Sequence, residues 1–199
     1  MKDKKDIEEM SCHELYAMMS ERMLVALMFH NDMSDYFNFL GLHGFKRIHE
    51  YQYHEESIGR RHLKRKYLDI HNKIIQEHFE PEYLECVIPT DWSKYTRMDI
   101  DKSVIPKFVK SAIEKYKDWE EETKEMYETA YCVAISKGYV VDADIIKDYI
   151  SCVQSELKKI YRLYEELNDV GFDPVYIVEI QKEIHDCYKE KMKQIKITW

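Results

Sequence analysis

Apolar residues recur every three or four positions over four long stretches of this chain, and the gaps between the stretches are short in two places and long in one. A period near 3.6 puts one stripe of each stretch on a single helix face, so four long helices sharing a core are what the pattern allows. Only five Gly and four Pro occur in 199 residues, which leaves few sites for tight hairpins and many residues that tolerate helix. A chain of this length suits one hydrophobic core, so residues 1–199 read as one all-α domain.

The first helix is predicted from Ser11 to about Phe37, because Ser11 and Glu14 have the S-x-x-E spacing of a capping box. Gly41 and Gly44 interrupt the pattern, and a second helix is expected from about Phe45 to Glu77, with Ile48, Gln52, Gly59, Leu63 and Tyr67 on its stripe. Between His78 and Asp101, Pro81 and Pro89 break any period, which predicts a long connection. The third helix spans about Lys102 to Ser136, with Pro106 in its first turn, and the fourth about Asp142 to Asn168, stopping before Gly171. Asp173 and Pro174 form a natural N-cap and first-turn pair for a shorter fifth helix over about 173–195. Two short-linked hairpins joined by one long segment make a four-helix bundle, about residues 11–168, with one long crossover between helices 2 and 3.

Each long helix carries a carboxylate where its stripe predicts a core side chain: Glu21, Glu56, Glu120 and Glu156. A buried carboxylate needs a proton, an ion pair or a metal. Four of them converging on one layer would make an oxygen-rich site for a hard cation such as iron or manganese. Glu55 precedes Glu56, and Glu121 and Glu122 follow Glu120, so a solvated helix face is the other reading of the same residues.

The stretch Phe45-Lys-Arg-Ile-His-Glu-Tyr-Gln-Tyr-His-Glu-Glu56 resembles the second helix of ferritins, where an apolar start leads into a His-Glu-Glu segment. The Asn38-Phe-Leu-Gly41 turn followed by Ile48-His49-Glu50 is similar to the Dps-type mini-ferritins. The spacing from Glu21 to Glu56 and the fifth helix also look ferritin-like. The resemblance to the ferritin-like superfamily implies a ferritin-like bundle, with Glu21 and Glu56 as iron ligands, Glu120 as the third-helix acid and Glu156 as the fourth. It further implies iron oxidation or storage of the ferroxidase type, and assembly into a homo-oligomer. The chain departs from the family where the second helix places a metal-binding His three residues after the Glu, since Gly59 stands there. Lys159 likewise stands three residues after Glu156, where di-iron relatives often repeat the histidine.

The remaining features bound the partners. Five cysteines without a C-x-x-C pair read as reduced thiols, and the N-terminal residues lack the apolar core of an export signal, so a cytoplasmic location is expected. No apolar run is long enough to span a membrane, and a formal charge of -8 argues against general nucleic-acid binding. The one basic cluster, Arg60 to Lys66, reads as a solvated face pairing with nearby acids, or as a contact for a protein partner. The histidines around the second helix, His49 among them, are expected on the surface or at helix ends, although Glu50 and His54 at i and i+4 share a face and could hold a metal in an oxygenase-type site. No phosphate-loop, dinucleotide, zinc-protease or nucleophile-elbow motif occurs. Two functions fit: a ferritin-like metal-binding protein with a degenerate di-iron site, or a non-catalytic helical scaffold that keeps the fold without metal.

Overall fold

The computed structural model describes residues 4–77 and 103–197. Among them the regular elements are all helices: α1 (Lys4–Glu9), α2 (Cys12–Phe39), α3 (His43–His71), α4 (Ile105–Ser136), α5 (Val140–Asp169) and α6 (Pro174–Ile197). The predicted capping box closes the start of α2, with Ser11 and Glu14 bonding reciprocally through side chain and backbone. At the end of α4, Gly138 adopts φ 76° and lets the Tyr139 N–H reach back to the Ala134 carbonyl at 2.8 Å, a closure that a Cβ would strain. Asp173 caps α6 by accepting from the Val175 and Tyr176 N–H groups, both at 2.9 Å.

Two boundaries differ from expectation. α3 ends at His71, six residues short of Glu77, because Asn72 takes a left-handed conformation (φ 50°) and its N–H closes on the Leu68 carbonyl. The chain then turns back along α2, burying Ile75 and bringing Glu77 onto Ser20, Arg60 and Lys64. Two members of the basic cluster are therefore spent on an internal ion pair, with Nζ of Lys64 at 2.9 Å and Nη2 of Arg60 at 2.6 Å from Glu77 Oε2. Hydrogen bonds from these partners and Ser20 outweigh burial and hold the Glu77 carboxyl down at about 2. The second difference is α1, a six-residue helix that sequence periodicity is too short to register.

Cross-helix contacts fix the topology. His30 meets His49 and Cys12 meets His71, so α2 and α3 are antiparallel. Tyr161 and Tyr164 of α5 bond Glu121 and Glu114 of α4, so these two are antiparallel as well. Arg22 against Trp119 and Tyr36 against Phe108 set α4 antiparallel to α2, and α3 ends at the opposite end of the bundle from where α4 begins. That placement is the one a long crossover requires; the segment predicted to make it, 78–101, lies outside the described residues. α6 runs parallel along α3, with Gln181 beside Gly44 and Tyr188 beside Tyr51. The bundle interior holds two apolar clusters. One contains Leu15, Met19, Leu63, Ala130 and Ile146, the other Phe29, Phe37, Phe45, Val109 and Ile177. Between them lies a polar layer.

Candidate functional site

The polar layer is built where the core stripes cross the middle of the bundle. On α3 the stripe Ile48, Gln52, Glu56, Gly59, Leu63 brings Glu56 in; on α4 Tyr116, Glu120, Thr123 and Met126 bring Glu120 in, and it is 4% exposed. On α2 the inward line is Leu15, Met19, Arg22, Ala26, Phe29, which puts Arg22 at this level. Its guanidinium lies 3.4 Å from the centroid of the Trp119 ring. Nε donates to Thr123 Oγ1 and Nη2 to the Trp119 carbonyl, both at 2.8 Å, and Nη2 is 3.6 Å from Glu122 Oε2. Burial lowers the Arg22 pKa, and the charges of Glu122, Tyr127, Glu120 and Glu56 act against that.

The acids respond to the same enclosure. Burial, then the neighbouring charge of Glu156, pushes the Glu56 carboxyl up to about 7, while Arg22 pulls it down. Glu120 is raised well above the ordinary carboxylate value by burial, then by Glu56 and Glu156, again with Arg22 opposing. Both carboxyls are thus shifted toward the protonated form, Glu56 to about 7. Glu156 is only partly buried and its ion pair is with Lys159, Oε1 to Nζ at 2.6 Å. Glu21 is buried on α2; the charges acting on Glu56 are those of Glu156, Arg22 and Glu55, and those acting on Glu120 are Glu56, Glu156 and Arg22. Thus Glu56, Glu120 and Glu156 act on one another electrostatically, and Arg22 of α2 supplies a cation to the same layer.

The place where the ferritin pattern expects a histidine is Gly59, against which Tyr149 of another helix packs. The Tyr149 hydroxyl of α5 donates to the Gly59 carbonyl at 3.0 Å, and its ring would lie 3.8 Å from a Cβ at position 59. Among the described residues, one set of three His, Cys, Asp or Glu side chains has all its ligand atoms within 4.8 Å of one another, and it is Cys12, His71 and Asp142, not the glutamates. Burial, then the Asp142 charge, pushes the Cys12 thiol up to about 12.

One expectation about the histidines is corrected. His49 is not on the surface; it is 2% exposed, stacked on Phe37, with its Nδ1 3.0 Å from Nδ1 of the fully buried His30. Burial lowers both, His49 to about 3, so both rings are neutral and one donates to the other. Both lie on apolar stripes, next to Phe29 and Ile48, which was the signal available in the sequence. Glu50 pairs with Lys46 and Arg47 on the preceding turn.

No protein-family model matches the chain, and no curated protein matches it. Solved structures do. A novel open-pore ferritin from the hyperthermophilic archaeon Archaeoglobus fulgidus is similar with TM-score 0.69 at 15% identity, covering 90% of this chain and 98% of that one. An engineered closed form of the Archaeoglobus fulgidus ferritin is similar with TM-score 0.68 at 15% identity, covering 89% of this chain and 97% of that one. The fold is therefore an all-α ferritin-like bundle, and no helix among the described residues is long and apolar enough to cross a membrane.

Proposed function

We propose that this ferritin-like bundle is a non-catalytic helical scaffold, whose mid-bundle acids are balanced by protons and by Arg22 instead of by iron. The observation that carries this reading is the guanidinium in the carboxylate layer, bonded to α4 and within electrostatic reach of Glu56 and Glu120. A di-iron centre of the ferritin kind needs that volume and charge for metal, and needs an imidazole where Gly59 packs on Tyr149. The residues present do not fit it. Exposed apolar side chains at the α4–α5 end, Ile135, Val140 and Val141, and on α6, Val175 and Val178, suit a protein whose role is contact with other proteins.

A second reading keeps iron, with Glu21, Glu56, Glu120 and Glu156 as ligands, self-assembly and a cytoplasmic location as in the sequence expectation. Two enclosed carboxyls whose affinity for a proton is raised favour it, since a cation could relieve the same crowding of negative charge.

The two readings separate on Glu56→Gln. Its folded value of about 7 is above the ordinary 4.5, so its contribution to stability is fully present below 4.5 and is lost as pH rises through about 7. Under the scaffold reading the substitution removes that loss, and denaturant unfolding should show a gain of about 2 kcal/mol at pH 8 and almost none at pH 4, the full effect being reduced by residual solvent contact. A fall in stability at pH 8 would indicate a cation held by the carboxylate. In the companion assay, protein from iron-supplemented cells is expected to carry substoichiometric iron and to oxidise Fe(II) no faster than buffer. Stoichiometric iron lost in Glu56→Gln and Glu120→Gln would establish the second reading instead.

A further inference from the structure

We propose that Cys12, His71 and Asp142 form a zinc-class divalent-cation site at the end of the bundle, where α2 begins, α3 ends and α5 begins. The site is independent of the mid-bundle layer and of the scaffold reading, since none of its residues belongs to that layer.

The three donors come from separate helices yet converge. Cys12 Sγ lies 3.6 Å from His71 Nε2, His71 Nε2 lies 2.8 Å from Asp142 Oδ1, and all three ligand atoms fall within 4.8 Å of one another. One thiolate, one imidazole and one carboxylate are a donor set that zinc accepts, with three protein ligands and a fourth position left for water or another small donor. Zinc–sulfur and zinc–nitrogen bonds of about 2.3 and 2.0 Å at a tetrahedral angle separate the two ligand atoms by roughly 3.5 Å, which is the Cys12–His71 spacing found here. The His71–Asp142 pair is a hydrogen bond at its present length and would open by roughly half an ångström around a metal, within the reach of one carboxylate rotation.

The surroundings hold the donors in place. Cys12 follows the N-cap Ser11 and lies within the Ser11–Glu14 capping box, so its backbone is fixed at the start of α2. Asp142 is 5% exposed in the first turn of α5, and its Oδ1 accepts from the Tyr16 hydroxyl at 2.9 Å; Tyr16 itself is fully buried. The His71 ring packs on Tyr67, centroid to centroid 4.6 Å, and edge-on to Tyr16 at 6.2 Å. An outer bond that orients a ligating carboxylate is what a metal site needs beyond its ligands. Cys12 and His71 are each partly exposed, which leaves an entry path.

The experiment uses the full chain, reduced and stripped with a chelator, and titrates it with Co(II) followed by Zn(II). Stoichiometric binding is expected, with a thiolate-to-cobalt charge-transfer band in the near ultraviolet and the visible bands of four-coordinate cobalt, both abolished by zinc. Cys12→Ser should remove the charge-transfer band while leaving the metal-free melting temperature and helicity close to the parent, because serine fits the same hydrogen-bonded corner. Asp142→Asn should weaken zinc at least tenfold, as loss of a ligand does. A variant with the exposed Cys132, Cys152 and Cys187, and Cys86, changed to Ser should bind as the parent does. If cobalt fails to bind stoichiometrically, or the band survives in Cys12→Ser, the three side chains are a hydrogen-bonded corner only and the proposal is overturned.

Discussion

Gly44→Ala is expected to lift α6 from α3 and to cost about 3 kcal/mol or more, at or above the upper end for a forced backbone shift in a packed core. A Cβ at position 44 would lie 1.8 Å from the Gln181 carbonyl oxygen, 2.7 Å from its carbon and 2.9 Å from its Cα. These are backbone atoms of a helix, so no rotamer change relieves the clash and α6 must move as a body. The same approach lets the Gly44 N–H donate to the Gln181 Oε1 at 2.9 Å. Displacing α6 uncovers Ile177 and Ile180, which pack with Phe45 in the second apolar cluster. Helix propensity acts the other way, since Ala gains at most about 1 kcal/mol over Gly in a helix, so the sign of the result reports which effect wins. Denaturant unfolding and limited proteolysis of α6 measure it. Gly59→Ala is the control: its Cβ would meet only Tyr149 at 3.8 Å, ordinary contact, and it should be neutral or stabilising. Equal stability of the two variants would show that α6 is not held against α3 by this crossing.

Arg22→Met carries the next largest expected loss, about 3–5 kcal/mol at pH 8, because removing one partner leaves buried charge without compensation. Methionine fills much of the volume, so the loss is electrostatic in origin. It deprives the Trp119 carbonyl of one donor and removes the cation that opposes the charges of Glu56 and Glu120. The deficit should shrink toward pH 5 as the acids take up protons, and Glu120→Gln in the same chain should restore a good part of it. Arg22→Lys should rescue only partly, since an ammonium lacks the planar fork that bonds Thr123 and Trp119 while lying on the indole face. A variant as stable as the parent at pH 8 would mean that something other than Arg22 balances the layer.

Much of the fold was legible in the sequence because helices announce themselves locally. Ser11 with Glu14, Asp173 with Pro174, and the glycines at 138 and 171 act within one or two turns, and each stands within a few residues of the end it marks. The misplaced end of α3 has the same explanation: Asn72 supplies a left-handed cap that glycine normally signals, and the apolar Ile74 and Ile75 beyond it mimic a continued stripe. On α2 the signal itself failed. That helix is buried around most of its circumference, partly under the segment that returns from α3, so its hydrophobicity does not point to one face. Glu21 and Arg22 are adjacent and both are enclosed, so the periodicity of α2 did not single out the guanidinium that reaches Trp119 and Thr123.

What the sequence by itself determined is the all-α character, the order of the long helices and most of their ends, and a polar layer carrying Glu56 and Glu120. Periodicity and capping chemistry depend only on neighbours in the chain. What tertiary structure alone decided is which charges meet: Arg22 with Trp119 and Thr123, His30 with His49, and Cys12 with His71 and Asp142. Those partners are 19 to 130 residues apart, and whether they touch depends on the rotation and axial offset of whole helices, which packing sets and no local pattern records.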